Sequence, residues 1–504
     1  MKRGLALTLA LALLLVSGLG AATFAVAEDD FSQEVTIKWM LEGSNVTDDT
    51  AVIEAVNAYL KEKINAKLQV IWGTWGDFDQ NVVNSINGGD DIDIYFTCSW
   101  TSNEYSAYAN KGAYVRLDDP ENNLLEQYAP GLFDVLPAVL ADAAAVEGAD
   151  GVGVYGIPGY KEVAQEYTWD INTPLLEELG YTVDDIGSYY DLGPILQKAK
   201  ELKGADFYPL NIEGGVLVRI ALNADVVDSN LVLVYPFDPE HPSQSGTEIK
   251  SLLELPEFAE FAKKTREYYL AGYINPVMAT ADAASSARTD AQLTGQYLIG
   301  TQVYSPGYDA QASQERGFQV TFKPTHKPII STTSARGAMM AISTSSKNPE
   351  RALAFLNLLN TDPTLFTLIA YGVEGVHYNL TDDGKVEFTD KRADYQPWRN
   401  GLGNITQLPL TVDDDPQIWE KFAEFNDAEG VPILGFALNQ EPIQNEMAAL
   451  ANISKEYLDG LCVGVVDPDV VLPEAIEKLK ANGIDKVVAE ANAQVQAFLD
   501  AKGE

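Results

Sequence analysis

The residues with the most chemical content stand just beyond short apolar runs. Residues 92–100 read Ile-Asp-Ile-Tyr-Phe-Thr-Cys-Ser-Trp, directly after the turn Asn-Gly-Gly-Asp-Asp at 87–91. A run this apolar suits a strand covered on both faces. It closes on Thr97, Cys98, Ser99 and Trp100, small and aromatic residues fit for a pocket floor at the carboxyl end of a parallel sheet. A buried strand ending in a polar turn is the alternative. Further aromatics recur beside loops: Trp39, Trp72, Trp75, Trp169, Tyr304, Tyr308 and Trp398. Indole and phenol faces stack on the apolar C–H faces of sugar rings, whose hydroxyls need hydrogen-bonding side chains. The same rings attract cations. Core packing is the competing role, since Trp is largely buried on average. It weighs most on Trp39, which lies inside a predicted strand. Small or polar neighbours make Trp75, Trp100 and Trp169 the foremost candidates.

Polar side chains follow the same geometry. Glu42 and Asn45 come after a first strand, and Ser99 after a third. Lys161, Glu162 and Asp170 lie just past a chain crossing, and Arg336 precedes a core strand. Asn404 ends Gly-Leu-Gly-Asn, where a turn is the competing role. Exposed ion pairs compete for Lys161, Glu162 and Arg336. The expected ligand-binding set is Glu42, Asn45, Trp75, Ser99, Trp100, Lys161, Glu162, Trp169, Asp170, Tyr304, Tyr308, Arg336, Trp398 and Asn404.

Catalytic patterns are missing where they would be legible. There is no Gly-x-x-x-x-Gly-Lys-Ser/Thr loop for a nucleotide phosphate and no Gly-x-Ser-x-Gly nucleophile elbow. His241, His326 and His377 have no metal-ligand spacing; His377 is expected to make a structural hydrogen bond. Asp413, Asp414 and Asp415 lack the spaced ligands of a calcium loop and read as a solvated turn. Among 74 acidic residues no glycosidase pair can be singled out. The expectation is no catalytic residue, no metal and no cofactor. A secreted carbohydrate-active enzyme is the competing class.

The elements that must position these residues alternate in type. Residues 35–41 and 67–72 read as strands, separated by a helix with Val52, Ile53, Val56, Tyr59, Leu60 and Ile64 at helical spacing. A second helix from about Asp77 leads to the strand at 92–100. This order argues a parallel, doubly wound sheet. Gly-Val-Tyr-Gly-Ile-Pro at 153–158 fits a strand leaving one lobe for another. Residues 297–304 and 338–343 read as further buried strands, and 318–324 as the return crossing. Pro349 opens a helix, Asp383-Gly384 makes a hairpin turn, and the chain ends in helices.

Composition narrows the setting. Lys2 and Arg3, an apolar run at 5–16 and Ala-Val-Ala at 25–27 form a cleavable export leader, with a mature start expected at Glu28. A lipid anchor would need a cysteine at the cleavage point. The only cysteines, Cys98 and Cys462, lie elsewhere and are expected to be buried free thiols. The expected place is the periplasm or the exterior. A formal charge of −40 disfavours nucleic acid and anionic membrane surfaces. The length of 504 residues allows two lobes, each with its own core.

Several segments together carry a family resemblance. The crossing at 153–158 resembles the first hinge of the extracellular solute-binding proteins of ABC importers, and residues 341–352, Ala-Ile-Ser-Thr-Ser-Ser-Lys-Asn-Pro-Glu-Arg-Ala, resemble their signature. Leu-Asn-Thr-Asp-Pro at 359–363 and Tyr-Gly-Val-Glu-Gly-Val-His-Tyr at 371–378 resemble the longer LipO-like subgroup with a DUF3502-type C-terminal region. Residues 435–437, 441–443, 452–458 and 478–487 agree with it. The missing anchor cysteine departs from many relatives. The resemblance implies an α/β, type II periplasmic-binding-protein-like fold, each lobe a mostly parallel sheet flanked by helices, with the ligand in the interlobe cleft. Residues 1–27 would be the leader, 28–157 plus 321–346 the first lobe, and 158–320 plus 347–504 the second, including the C-terminal helices. It implies a monomer that captures a small polar solute by hinge closure and delivers it to the transmembrane permease subunits. The aromatic pattern favours an oligosaccharide over a peptide or another polar solute.

Overall fold

The computed structural model describes residues 31–43, 45–228, 230–279 and 281–503; the expected leader, 1–27, lies outside the described residues. The first sheet collects β1 (Val35–Glu42), β2 (Ala66–Gly73), β3 (Ile94–Thr97) and β4 (Gly156–Pro158). The second collects β5 (Tyr167–Asn172), β6 (Leu210–Asn211), β7 (Ile299–Val303) and β8 (Val320–Pro324). A last strand, β9 (Met339–Ile342), returns to the first sheet, which has the order β2-β1-β3-β9-β4. β1 lies parallel to β2 and β3, while β9 runs antiparallel to both β3 and β4. The second sheet has the order β6-β7-β5-β8, with β5 antiparallel to both its neighbours. So each sheet has one opposed strand, and in each it is the strand the chain enters on crossing over.

Local sequence accounts for the elements. In the helix Thr50–Ile64 the buried residues Val52, Val56, Leu60 and Ile64 recur every four positions and form one stripe against the first core. Asn65, at φ 46°, ends it in the left-handed conformation and donates its N–H to the Leu60 carbonyl. Pro349 stands at the start of the helix Pro349–Thr361 as expected, where its missing N–H costs nothing. Thr381 and Lys385 close the expected hairpin between Tyr378–Leu380 and Val386–Phe388.

Two large cores define the lobes, and they move one expected boundary. The first core holds β1 to β4, β9 and then Ala352 through Phe422. The expectation that everything beyond residue 347 belongs to the second lobe is therefore corrected for the stretch 349–422. Its apolar helix faces close over the first sheet: Phe355 meets Trp39 edge-on at 5.5 Å. The Tyr59 hydroxyl donates to Asp362 at 2.6 Å, and buried Arg351 donates to the Ile64 and Asn65 carbonyls at the end of the first helix. The second core holds β5 to β7 and the C-terminal helices Gln444–Val463, Pro468–Ala481 and Ile484–Lys502. Those helices pack in the second core. Asn492 exchanges two hydrogen bonds of 2.9 Å with the backbone of Ile249.

It follows that the chain crosses three times, at 159–166, 325–338 and 423–431, the third coming well after the expected boundary at 346–347. The three segments are tied together. Gln165 and Ile329 exchange backbone hydrogen bonds of 2.8 and 3.0 Å, and Ile329–Ile330 pairs in parallel with Glu429–Gly430. The Asn426 side chain accepts from the Val163 and Ala164 N–H groups and donates to the Lys161 carbonyl. A small apolar cluster of Leu140, Ala143, Val163, Ala164, Ile330, Ala335 and Phe425 fills the junction.

Candidate functional site

Three of the expected tryptophans meet on the first lobe. Trp75 follows β2, Trp100 follows β3, and Trp398 comes from the segment that returned to this lobe. Their ring centroids are 5.5 Å apart for Trp75–Trp100, 5.4 Å for Trp75–Trp398 and 6.0 Å for Trp100–Trp398. Such tilted and edge-on contacts suit aromatic quadrupoles. Trp75 and Trp100 remain 46% and 45% exposed, an unusual amount of indole to leave in water. Phe96, buried in β3, supports both Trp100 and Trp398 from below at 6.0 and 5.7 Å. A Cβ on Gly401 would stand 2.5 Å from the Trp398 ring, so only glycine lets that ring lie down here.

The facing wall begins at the first crossing. The Trp100 indole N–H donates to the Gly337 carbonyl at 3.0 Å. Lys161 lies on the other side of Gly337, with Nζ 3.3 Å from where a Cβ on that glycine would be. Lys161 pairs with Glu162 at 2.7 Å, and the two side chains are only 12% and 18% exposed. Ser305 reaches Glu162 at 3.5 Å. Tyr304 is half-buried against Phe425 and Phe322, and Tyr308 stacks on Phe322 at 5.3 Å. The aromatic floor on the first lobe is thus linked through Gly337 to a polar, partly charged crossing segment, a combination suited to a ring with one apolar face and many hydroxyls.

Other expected residues are placed otherwise. Trp169 is 2% exposed and packs beside Tyr189 in the second core. Asp170 is fully buried under the helix Tyr308–Arg316, where Arg316 donates to both its oxygens at 2.8 and 2.9 Å and Tyr297 and Gln292 complete the shell. The reason is shared: β5 is central in its sheet and covered on both faces. Arg336 is also corrected. It is 2% exposed, and its guanidinium donates to the Ala143, Ala145 and Gly435 carbonyls, bridging the lobes at the junction; burial pulls its pKa down. Asn404 takes the competing role: its Oδ1 caps the turn Ile405–Gln407 through Thr406. Glu42 is buried at the end of β1. Exposed Asn45 uses its carbonyl to hold Gln396, two residues before Trp398. Ser99 turns away from Trp100. Its hydroxyl donates to the Thr333 carbonyl and lines a separate cavity of about 240 Å³ behind the return crossing.

The remaining chemical candidates are structural. His377 is 4% exposed and its Nδ1 accepts the Val373 N–H, the hydrogen bond expected of it. Cys98 and Cys462 are free and buried, and burial pushes the Cys98 thiol up to about 12. Asp414 and Asp415 accept backbone N–H groups of their own turn. Reading by residue type passed over Phe96, Ser305 and Glu166. Glu166 is a 6% exposed carboxyl beside Tyr304, pushed up to about 7 by burial. Its place between the crossing and β5 was the one available signal.

Two α/β lobes joined by crossing segments, with an aromatic floor at their boundary, define a two-lobed solute-binding protein. Residues 43–364 match the family described as bacterial extracellular solute-binding protein, and residues 432–500 match the domain of unknown function DUF3502. The chain belongs to that solute-binding family. It is 27% identical over 479 residues to a carbohydrate ABC transporter substrate-binding protein of Streptococcus pneumoniae serotype 4, covering 94% of this chain and 93% of that one. Among solved structures it is similar to the N-glycan transport solute binding protein NgtS of the same species, at 27% identity and a TM-score of 0.77, covering 93% of this chain and 99% of that one. That protein has also been solved with Man1GlcNAc and with Man5GlcNAc. An alginate-binding protein shares the fold at 17% identity and a TM-score of 0.63, with 92% of this chain and 98% of that one covered.

Proposed function

We propose that this chain is the exported substrate-binding component of an ABC importer, that it holds an oligosaccharide between its lobes, and that it hands the sugar unchanged to the permease subunits. The observation that carries this is the trio Trp75, Trp100 and Trp398, brought together from three separate segments, with Trp75 and Trp100 left nearly half in water. A core does not need such an arrangement, whereas a sugar face does. The likeness to a protein crystallised with mannose-containing N-glycan pieces favours that class of sugar. Closure over the ligand would be driven by whatever affinity the closed form has in excess of the open one. The leader at 1–27 would be removed on export, and the mature protein would act as a monomer.

The test is a thermal-shift screen of the mature protein against Man1GlcNAc, Man5GlcNAc, other oligosaccharides, peptides and polyamines. A ligand at a hundredfold its dissociation constant adds about 2.7 kcal/mol to the folded form. Stabilisation by a mannose-containing glycan, with no shortened product by chromatography, is the expected result. A peptide or polyamine hit would keep the family and overturn the sugar. A shortened product would overturn the non-enzymatic role.

A further inference from the structure

Two acidic residues on one face of one extended segment meet opposite fates. From Gln165 to Asn172 the side chains alternate. Tyr167 and Trp169 enter the second core, where Tyr167 meets Arg219 and His326, while Glu166, Thr168 and Asp170 share the other face. The helix Tyr308–Arg316 covers that face over Asp170 and supplies its arginine. Glu166, four residues earlier and roughly 13 Å along the segment, lies beyond the reach of that arginine. Its carboxylate makes no hydrogen bond or ion pair with any described residue, although it is only 6% exposed. Its backbone carbonyl takes the Tyr304 N–H at 2.9 Å, which fixes it beside the polar rim of the cleft. A largely buried carboxyl at this rim, with no donor from the described residues and only water to meet its oxygens, can exchange that water for sugar hydroxyls, which are donors.

We propose that Glu166 is a solute-orienting residue of the cleft, whose carboxylate accepts hydrogen bonds from ligand hydroxyls in place of the water that meets it in the ligand-free form; this rests on the oligosaccharide reading above. A consequence is proton linkage. Ligand hydroxyls favour the ionised form, so binding lowers the Glu166 pKa from its raised value near 7 and releases a proton. Affinity therefore falls as pH drops through that value. The titratable group beside Glu166 is Tyr304, which Asp309 also approaches; Lys161 and Glu162, earlier on the same crossing, pair with each other. His326 and Arg219 stand across the segment, beside Tyr167. The shift at Glu166 is attributed to desolvation alone.

The experiment is calorimetry of wild type and Glu166→Gln with Man5GlcNAc as the probe, at pH 8 and pH 5.5, in two buffers of different ionisation enthalpy. The expected result is about tenfold tighter wild-type binding at pH 8 than at pH 5.5, with proton release on binding near neutral pH. Glu166→Gln should lose both the pH dependence and the proton release. Identical affinity and pH profile in the two proteins would overturn the assignment while leaving the sugar reading intact, as would proton uptake on binding. No wild-type binding of Man5GlcNAc would overturn the N-glycan reading and the Glu166 role with it. Weaker binding by a variant that has merely lost stability is separated by the melting profile without ligand, in which a correctly folded Glu166→Gln melts at or above the wild-type temperature at pH 8.

Discussion

Trp75 and Trp100 on the first lobe and Trp169 on the second put the same side chain to opposite uses. On the first lobe, Trp75 and Trp100 stand two and three residues past the ends of their strands, outside the sheet, and keep nearly half of their surface in solvent. On the second lobe, Trp169 is the third residue of β5, central in its sheet, and is 2% exposed. All three have small or polar neighbours in sequence, so residue type and flanks do not separate them. Position relative to the strand end does. A tryptophan within a sheet covered on both faces is core, and one beyond the carboxyl end of a parallel strand reaches the cleft, where ligands of open α/β sheets bind.

The largest effects should mark the core side of this contrast. Trp169→Ala should lower the free energy of unfolding by about 3–5 kcal/mol, read as a shift in denaturant midpoint, because the cavity it leaves cannot collapse fully. A loss below 1 kcal/mol would mean that Trp169 is not the core residue described. Arg316→Met should cost about as much, roughly 3–5 kcal/mol, since it strands the fully buried Asp170. Adding Asp170→Asn to it should recover a large part of that loss in the same denaturant experiment.

Glu166 gives the intermediate case and reverses the sign. Its pKa is raised in the folded state, so the stability it contributes is fully present below the unfolded value of 4.5 and is lost as pH rises through about 7. Glu166→Gln should therefore raise the stability of the ligand-free protein at pH 8, by at most about 3 kcal/mol, and leave it unchanged near pH 4. Melting temperatures across that range check the sign. A drop at pH 8 would show that the carboxylate has a partner after all.

The smallest changes in stability should come from the cleft side. Trp75→Ala and Trp100→Ala should each weaken sugar binding about tenfold or more, equivalent to about 1.4 kcal/mol, while stability moves by no more than about 1 kcal/mol. Titration by tryptophan fluorescence measures the first and denaturant unfolding the second. Unchanged affinity in both variants, with the fold intact, would remove the stacking floor from the site.

The same contrast separates what could be read in advance from what could not. Strands and helices followed from periodicity over a few residues: Val52, Val56, Leu60 and Ile64 declare a helix on their own, and Pro349 and Asp383-Gly384 mark an end and a turn. The aromatic candidates Trp75, Trp100 and Trp398 were legible one by one, because each stands beside a loop. That they converge was not, since the third ring comes from about 300 residues further along the chain, in a segment that the expected boundaries gave to the second lobe.

Residue types, local periods and the spacing of turns thus determined the α/β class, the parallel run of the first three strands and the aromatic character of the site, and the resemblance to the solute-binding family supplied the two lobes. Tertiary structure decided which charges are consumed and which are left for a ligand. Asp170 is satisfied by an arginine 146 residues away, and Arg336 by carbonyls 193, 191 and 99 residues away, whereas Glu166 finds no hydrogen-bond partner among the described residues. Burial and hydrogen-bond satisfaction depend on what covers a side chain from both faces. That cover is supplied by segments far off in sequence, and no window of neighbouring residues contains it.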